Sequence, residues 1–327
     1  MTLVELMVAM AIGLVVVAAT VGVLSVAQRG FNTVDASSQL RDNARYATEL
    51  ITRIVLQTGF EDVAYATTPR KNDALLDANP FPNITGFNNA KPSGSDPYNT
   101  TSGAWGATSI GHGSDILILR YQGAETYPGS GKADRSIITC NGDSPGTIPS
   151  NRDERIVSIF YVATGTNGEP ALMCRSSPTD TVIPPSTGGQ PIVTGVESFQ
   201  VLYGVDGVTP NTATPATAPP PSKTDRYLRA DQMVVAGDAV ATNNNWRRVR
   251  SIRIGMVLRG ATNSVQDPQD VTVLPFGDSP GSSGGAVGSA FTSAADPGTT
   301  YQAGADGRLR QVVTFTIHLR NYQDIAS

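Results

Sequence analysis

A long uncharged stretch near the amino terminus is the feature that most constrains this chain. Residues 6–27 carry no charge and are almost entirely apolar. In a helix, about 22 residues extend about 33 Å, which is enough to cross the hydrocarbon core of a bilayer. A single carboxylate, Glu5, precedes the run, and no basic residue lies ahead of it. This segment therefore needs lipid or the core of a larger assembly around it.

Two ordinary interpretations of this opening leave the carboxylate unexplained. A cleavable secretory signal has a positively charged start and a shorter apolar core, whereas this chain has Glu5 and a longer run. A simple membrane anchor explains the length, but a carboxylate carried to the middle of the membrane costs about 2.5–3.5 kcal/mol. A third interpretation gives the acid a role.

The opening "MTLVELMVAMAIGL" resembles the processed start of type IV pilins and of the pseudopilins of type II secretion. Met1, Thr2, Leu3 and Glu5 match the family pattern position by position, with Met1 in place of the commoner Phe. The resemblance implies that a short leader ending in Gly has been removed and the new terminal amine methylated. It also implies that Glu5 attracts the terminal amine of a neighbouring subunit, so these four residues are the candidate subunit-assembly residues.

The helical pattern continues beyond the uncharged run. Apolar residues recur at steps of three and four, as on one face of a helix: Leu40, Ala44, Ala47, Ile51 and Ile54. The pattern predicts one helix from Thr2 to Thr58, about 85 Å long, with Gly59 as its terminator. We expect residues 1–28 to lie in the membrane or a filament core, and the rest of the helix to pack on a globular head.

The remainder of the chain, residues 59–327, is rich in turns and short strand patterns. One-sided alternation of apolar residues predicts antiparallel strands with one solvated face. The strand patterns occupy residues 115–121, 155–163, 172–176, 192–206, 249–260 and 310–321. The prediction is thus an α+β fold, in which a long N-terminal helix packs on an antiparallel β head. Two long segments, 209–225 and 276–300, are predicted to be loops without a core.

Charge and cysteine content narrow the possible functions. The net charge of -4, without a dense basic cluster, gives no electrostatic reason to expect nucleic-acid binding. Cys140 and Cys174 are too few for a zinc site. They are expected to form a disulfide if the head lies outside the cytosol, and two free thiols are the alternative.

The sequence offers no convincing catalytic or metal-binding set. His112 stands beside Ser114 and Asp115, but neighbours in sequence rarely converge as a catalytic triad, and the segment is predicted to be a turn. Asp206 and Asp306 each precede a glycine without the further oxygen ligands of a calcium loop. No phosphate-binding or dinucleotide fingerprint occurs. We therefore predict a protein that is not an enzyme and has no cofactor, metal or small-molecule substrate.

The head resembles PilW-type minor pilins over most of its length. The matching segments occur in the family's order at residues 138–142, 157–163, 171–176, 190–206, 225–228, 245–259 and 308–321. The most specific is "GVESFQVLYG" at 195–204. The resemblance implies a subunit held in the bacterial inner membrane with a periplasmic head, and later in the pilus at the cell surface. It would prime or cap type IV pilus assembly, with other pilin subunits and inner-membrane lipid as its partners.

Two other functions stay open at this point. A J-type minor pseudopilin of type II secretion shares the same amino terminus, although segment 195–204 favours the pilus protein. The other is a membrane-anchored periplasmic hydrolase or a surface adhesin. A pilus-associated adhesin is compatible with the pilus role and would use the long loops as its contact surface.

Overall fold

The structure, a computed structural model, combines one long helix with two antiparallel sheets and a separate pair of short strands, in agreement with the predicted α+β class. It describes residues 2–62, 81–93, 101–106, 110–111, 113–150, 154–177, 189–265, 267–276, 298 and 300–321.

The N-terminal helix α1 runs without interruption from Leu3 to Gln57. Thr58 follows as its C-cap, and Gly59 adopts a left-handed φ of 73°, as glycine does when it ends a helix. The predicted helix is confirmed. Its buried residues all lie in the second half: Ala36, Leu40, Ala44, Ala47, Ile51, Ile54 and Val55.

The first sheet has five antiparallel strands in the order β1-β2-β3-β4-β5. They are β1 (Ile84–Phe87), β2 (Ile116–Tyr121), β3 (Ile156–Thr164), β4 (Pro170–Ser177) and β5 (Gln190–Thr194). Every residue of β2 is buried because apolar clusters cover both faces of the sheet: Leu117 and Leu119 face the core that includes α1, and Ile116 and Ile118 belong to a smaller second cluster.

The second sheet has four strands in the order β11-β8-β6-β7. They are β6 (Val196–Val205), β7 (Arg226–Leu228), β8 (Val249–Arg259) and β11 (Arg310–His318); β9 (Val271–Val273) and β10 (Tyr301–Ala303) pair separately. Two short helices, α2 (Ala230–Met233) and α3 (Ala239–Trp246), lie between β7 and β8.

The second face of β8 differs from the prediction. A solvated face was expected, but Ser251 and Val257 are fully buried. The backbone at Pro275 crosses this face so closely that a Cβ on Gly255 would lie 2.5 Å from the Pro275 carbonyl oxygen. Arg253 donates to the carbonyl of Phe276 at 3.1 Å. The expectation was therefore wrong for β8, because a segment distant in sequence covers it.

The second half of α1 runs along β11 in the same direction. A Cβ on Gly260, which pairs with the residue before β11, would lie 3.6 Å from the Cβ of Ala36. At the other end, Asn321 donates a hydrogen bond of 3.0 Å to the carbonyl of Thr58. The helix and this strand therefore share one side of the head.

Candidate functional site

The start of α1 is closed by reciprocal hydrogen bonds between Thr2 and Glu5. The backbone N–H of Glu5 donates to Oγ1 of Thr2 at 3.4 Å, and the backbone N–H of Thr2 donates to Oε2 of Glu5 at 2.8 Å. This is a capping box, which satisfies two N–H groups that a helix start leaves unpaired. The sequence signal for it, Thr-x-x-Glu, was present but was not used in the prediction. Met1 lies outside the described residues.

The first half of α1 exposes a continuous apolar surface. The large apolar side chains from Leu3 to Val34 are exposed, including Leu3 at 76% and Phe31 at 74%. The helix is long and apolar enough to cross a membrane. Such a surface is far larger than the isolated apolar residues found on ordinary soluble proteins. It marks the region as an interaction surface for lipid or for other apolar helices.

The chain passes from the first sheet to the second through one residue, Gly195, which lies between β5 and β6. Its N–H donates to the carbonyl of Pro170 in β4 at 2.7 Å, and its carbonyl accepts from the N–H of Arg259 in β8 at 2.7 Å. Its φ is 83°, and a Cβ there would lie 2.6 Å from the carbonyl oxygen of Arg259. Glycine is required because L side chains rarely adopt this φ and because there is no space for a Cβ.

Charged side chains converge beside this junction. Arg259 donates to Glu169, which precedes β4, at 2.6 Å, and to Glu197 in β6 at 3.0 Å. Arg308 donates to the same Glu169 at 3.0 Å. These bonds therefore link the β3–β4 turn, β6, β8 and the segment that leads into β11.

A third arginine, Arg310 in strand β11, completes the cluster. Arg310 donates to Glu197 at 2.8 Å and to Asp306 at 2.7 Å. The Arg310 and Glu197 side chains are only 4% and 7% exposed, so removing either one would leave the other buried charge with one partner instead of two.

The ion pairs lower the pKa values of two acids of the cluster, Glu169 and Asp306. Burial alone would raise the pKa of Glu169, but hydrogen bonds from Arg259 and Arg308 outweigh it, so the net shift is downward. The hydrogen bond from Arg310 lowers the pKa of Asp306. The arginines thus stabilise both acids in their charged form. The cluster therefore has a structural role, because its ion pairs connect the two sheets.

The predicted disulfide is present between Cys140 and Cys174, with a Cα–Cα distance of 5.8 Å. It attaches the segment before β3 to strand β4 inside the main core, where both residues are buried. The N–H of Cys140 also donates to Oγ of Ser158 at 3.1 Å. The bridge thus stabilises a segment that has little regular structure of its own.

The predicted loop 209–225 is tied to the head by polar contacts. Asp206 accepts from the N–H of Ser222 at 2.6 Å, and this bond lowers the pKa of the Asp206 carboxyl. Arg248 donates to the carbonyl of Pro219 at 2.9 Å. The loop has no apolar core, as predicted, but it has specific anchors. Most of the second predicted loop, 276–300, lies outside the described residues.

Two residues weighed in the catalytic set, Ser114 and Asp115, make hydrogen bonds to strand β6. His112 lies outside the described residues. Ser114 accepts from the N–H of Phe199 at 3.1 Å, and Asp115 accepts from the N–H of Val201 at 2.8 Å, so both attach the start of β2 to β6. Among the residues that the structure describes, no group of three metal-ligating side chains occurs.

Comparisons with known proteins bear on the family of this chain. A family model described as type IV pilus-assembly protein W, or PilW, matches residues 159–321, from within β3 to just beyond β11. A type IV-like pilin from Thermus thermophilus is similar in structure, with 12% identity and a TM-score of 0.39 over 86% of this chain and 96% of that chain. No curated protein matches the chain.

Proposed function

Because this chain is a pilin of the PilW type, we propose that it is a minor pilin that primes or caps type IV pilus assembly together with other minor pilins. Residues 1–58 would form the pilin helix, with residues 1–28 in the inner membrane before assembly and in the filament core afterwards. Residues 59–327 would form the periplasmic head, which reaches the cell surface in the pilus. Its role would be packing and electrostatic pairing between subunits.

The division of α1 into two halves is the observation that carries this proposal. Large apolar side chains are exposed up to Val34, and burial on the head begins at Ala36. Lipid can cover the exposed half before assembly, and neighbouring helices can cover it in a filament, so the same surface serves both environments. The chain would therefore transfer from membrane to filament without refolding its head.

Glu5 keeps acceptor capacity for a neighbouring subunit. Its Oε2 accepts from Thr2, and Oε1 has no hydrogen-bond partner among the residues that the structure describes. A carboxylate with a free oxygen at the apolar end of a helix is stabilised by a cation, and the terminal amine of an adjacent subunit would supply one. We therefore infer separate contributions to subunit assembly: Thr2 caps the helix, Leu3 would pack on a neighbouring helix, and Glu5 would pair with the neighbour's amine.

Replacing Glu5 in two ways separates its charge from its capping role. Gln at this position preserves a capping box but removes the charge, whereas Ala removes both. We expect Glu5→Gln to lower incorporation into sheared pili by about tenfold or more, because breaking a desolvated ion pair costs several kcal/mol. The measurement is the amount of this chain in sheared pili relative to the membrane fraction.

The membrane fraction serves as the control, since neither variant changes the apolar surface of α1. If Glu5→Gln is incorporated like the wild type while Glu5→Ala is not, the residue acts only as a cap and the proposed ion pair is wrong. A deletion strain distinguishes the type II secretion alternative: loss of secretion with normal piliation would contradict the pilus assignment.

A further inference from the structure

Strand β11 is an edge strand with a full row of outward-facing backbone groups. The bonds from Gly260 N–H to the Leu309 carbonyl (2.8 Å) and from Leu319 N–H to the Arg250 carbonyl (2.9 Å) fix the register with β8. Odd-numbered residues therefore direct their backbone groups towards β8. The backbone groups of residues 312, 314, 316 and 318 point away from the sheet.

In the part of the chain that the structure describes, this edge lacks several features by which proteins usually protect exposed strands. Within the described chain, the backbone N–H and carbonyl groups of these four residues have no backbone partner on the outer side. The pairing of β11 with β8 has no bulge, unlike β4 with β5, and β11 contains neither proline nor lysine. Thr314, Thr316 and His318 are exposed. An open and regular edge of this length is a template for another strand.

A basic groove lies at the end of this edge. It has a volume of about 340 Å³ and includes His318, the last residue of β11. Lys223, Arg250 and Arg320 line it, and none of the described residues that line it is acidic. Lys223 and Arg320 are exposed and have no salt-bridge partner among the described residues. The groove therefore favours a carboxylate as its ligand.

We propose that β11 accepts an extended segment of a neighbouring pilin subunit as an added strand, with a carboxylate of that segment in the basic groove. Main-chain hydrogen bonds to the open edge would supply affinity, and the groove would select an acidic segment. The proposal rests on the proposed function for the identity of the neighbour. A subunit that packs on α1 comes alongside β11, because the helix runs along this strand from Ala36 to Thr58.

Proline at an even-numbered position tests the edge without breaking the sheet. Thr316→Pro removes only an outward N–H, a location where edge strands tolerate proline. Thr316→Ala keeps that N–H and is the matched control. We expect Thr316→Pro to weaken co-purification with partner minor pilins from detergent-solubilised membranes by roughly tenfold, and Thr316→Ala to bind like the wild type. Equal binding by all three proteins would overturn the proposal.

A second pair of measurements does not depend on how well the proline variant folds. Lys223→Glu combined with Arg320→Glu changes two exposed side chains and should also weaken co-purification. In amide exchange, residues 314 and 316 should be protected only in the complex, whereas residues 313 and 315 should be protected in both states. Protection of the even-numbered amides in the isolated chain at high concentration would point to a second copy as occupant and overturn the proposal.

The result can be distinguished from failure of the proposed function. Co-purification with pilins that depends on Glu5, but not on Thr316 or the basic groove, would mean that the strand addition is wrong and that the pilin role stands. If the wild-type chain does not associate with pilins at all, the proposed function fails first.

Discussion

At the scale of single residues, a few positions need a backbone conformation or a close contact that only glycine allows. Gly195 is the clearest, because its two hydrogen bonds join β4 to β8 through one residue with positive φ. Gly204, in the same strand region, would place a Cβ against the side chains of Ser251 and Thr224. The most family-specific stretch, 195–204, is thus bounded by two glycines that the packing requires.

Gly195→Ala should destabilise the protein more than another glycine substitution of the same backbone type. Both Gly195 and Gly168 have positive φ, at 83° and 77°, so alanine costs about 1–2 kcal/mol at either site. Only at Gly195 would the new Cβ also meet a backbone carbonyl, at 2.6 Å. Urea unfolding of the full chain in detergent should therefore show a larger loss for Gly195→Ala. Equal losses would contradict the steric argument.

At the scale of elements, the bridge between Cys140 and Cys174 stabilises the segment that leads into β3. It closes a loop with a sequence separation of 34 residues, for which chain entropy gives a stabilisation of about 3–4 kcal/mol. The described part of that segment between β2 and β3 has no helix or strand, so its order depends on the disulfide, on backbone hydrogen bonds within its turns and on side-chain hydrogen bonds.

Cys140→Ala combined with Cys174→Ala should lower the free energy of unfolding by about 3–4 kcal/mol. The physical reason is the larger entropy of the unfolded chain once the loop is open. Urea unfolding with and without reductant checks this: reductant should destabilise the wild type but leave the double variant unchanged. A loss below about 1 kcal/mol would mean that native contacts hold the segment without the bridge.

At the scale of the whole molecule, one apolar core contains residues of α1 and of both sheets, and a cluster of charged side chains links the sheets as well. The cluster of Glu169, Glu197 and Asp306 with three arginines spans sequence positions from the β3–β4 turn to β11. The pKa values of Glu169 and Asp306 are lowered in the folded state. The stability that these two carboxylates add to the fold is therefore complete above their unfolded-state pKa values, near pH 4. It is lost as the pH falls through their folded-state pKa values.

Glu169→Gln should reduce the acid sensitivity of the fold. The variant should be less stable than the wild type at pH 6, because Arg308 loses its charged partner and Arg259 loses one of its two, and the difference should shrink by pH 3. Glu49→Gln is the control, since Glu49 forms an exposed pair with Arg45 on α1 that is worth at most about 1 kcal/mol. Thermal unfolding in detergent at both pH values measures the effect. A difference that grows on acidification would contradict the linkage.

The sequence by itself determined the features that depend on near neighbours along the chain. The uncharged run, the apolar face of α1 and the alternation in β11 are periodic patterns, and their periods of 3.6 and 2 follow from backbone geometry. The disulfide could also be predicted, because only two cysteines are available.

Only the tertiary structure decided which distant segments meet. Three features join residues that are far apart in sequence: the contact of Pro275 with β8, the junction at Gly195 and the cluster of charged side chains. Local patterns carry no information on such pairings. The open edge of β11 belongs to the same class: its alternation was visible in the sequence, but its place at the margin of the sheet depends on the strand order. That order is set by how the whole core packs, which is why an edge able to receive another strand could be found only in the folded chain.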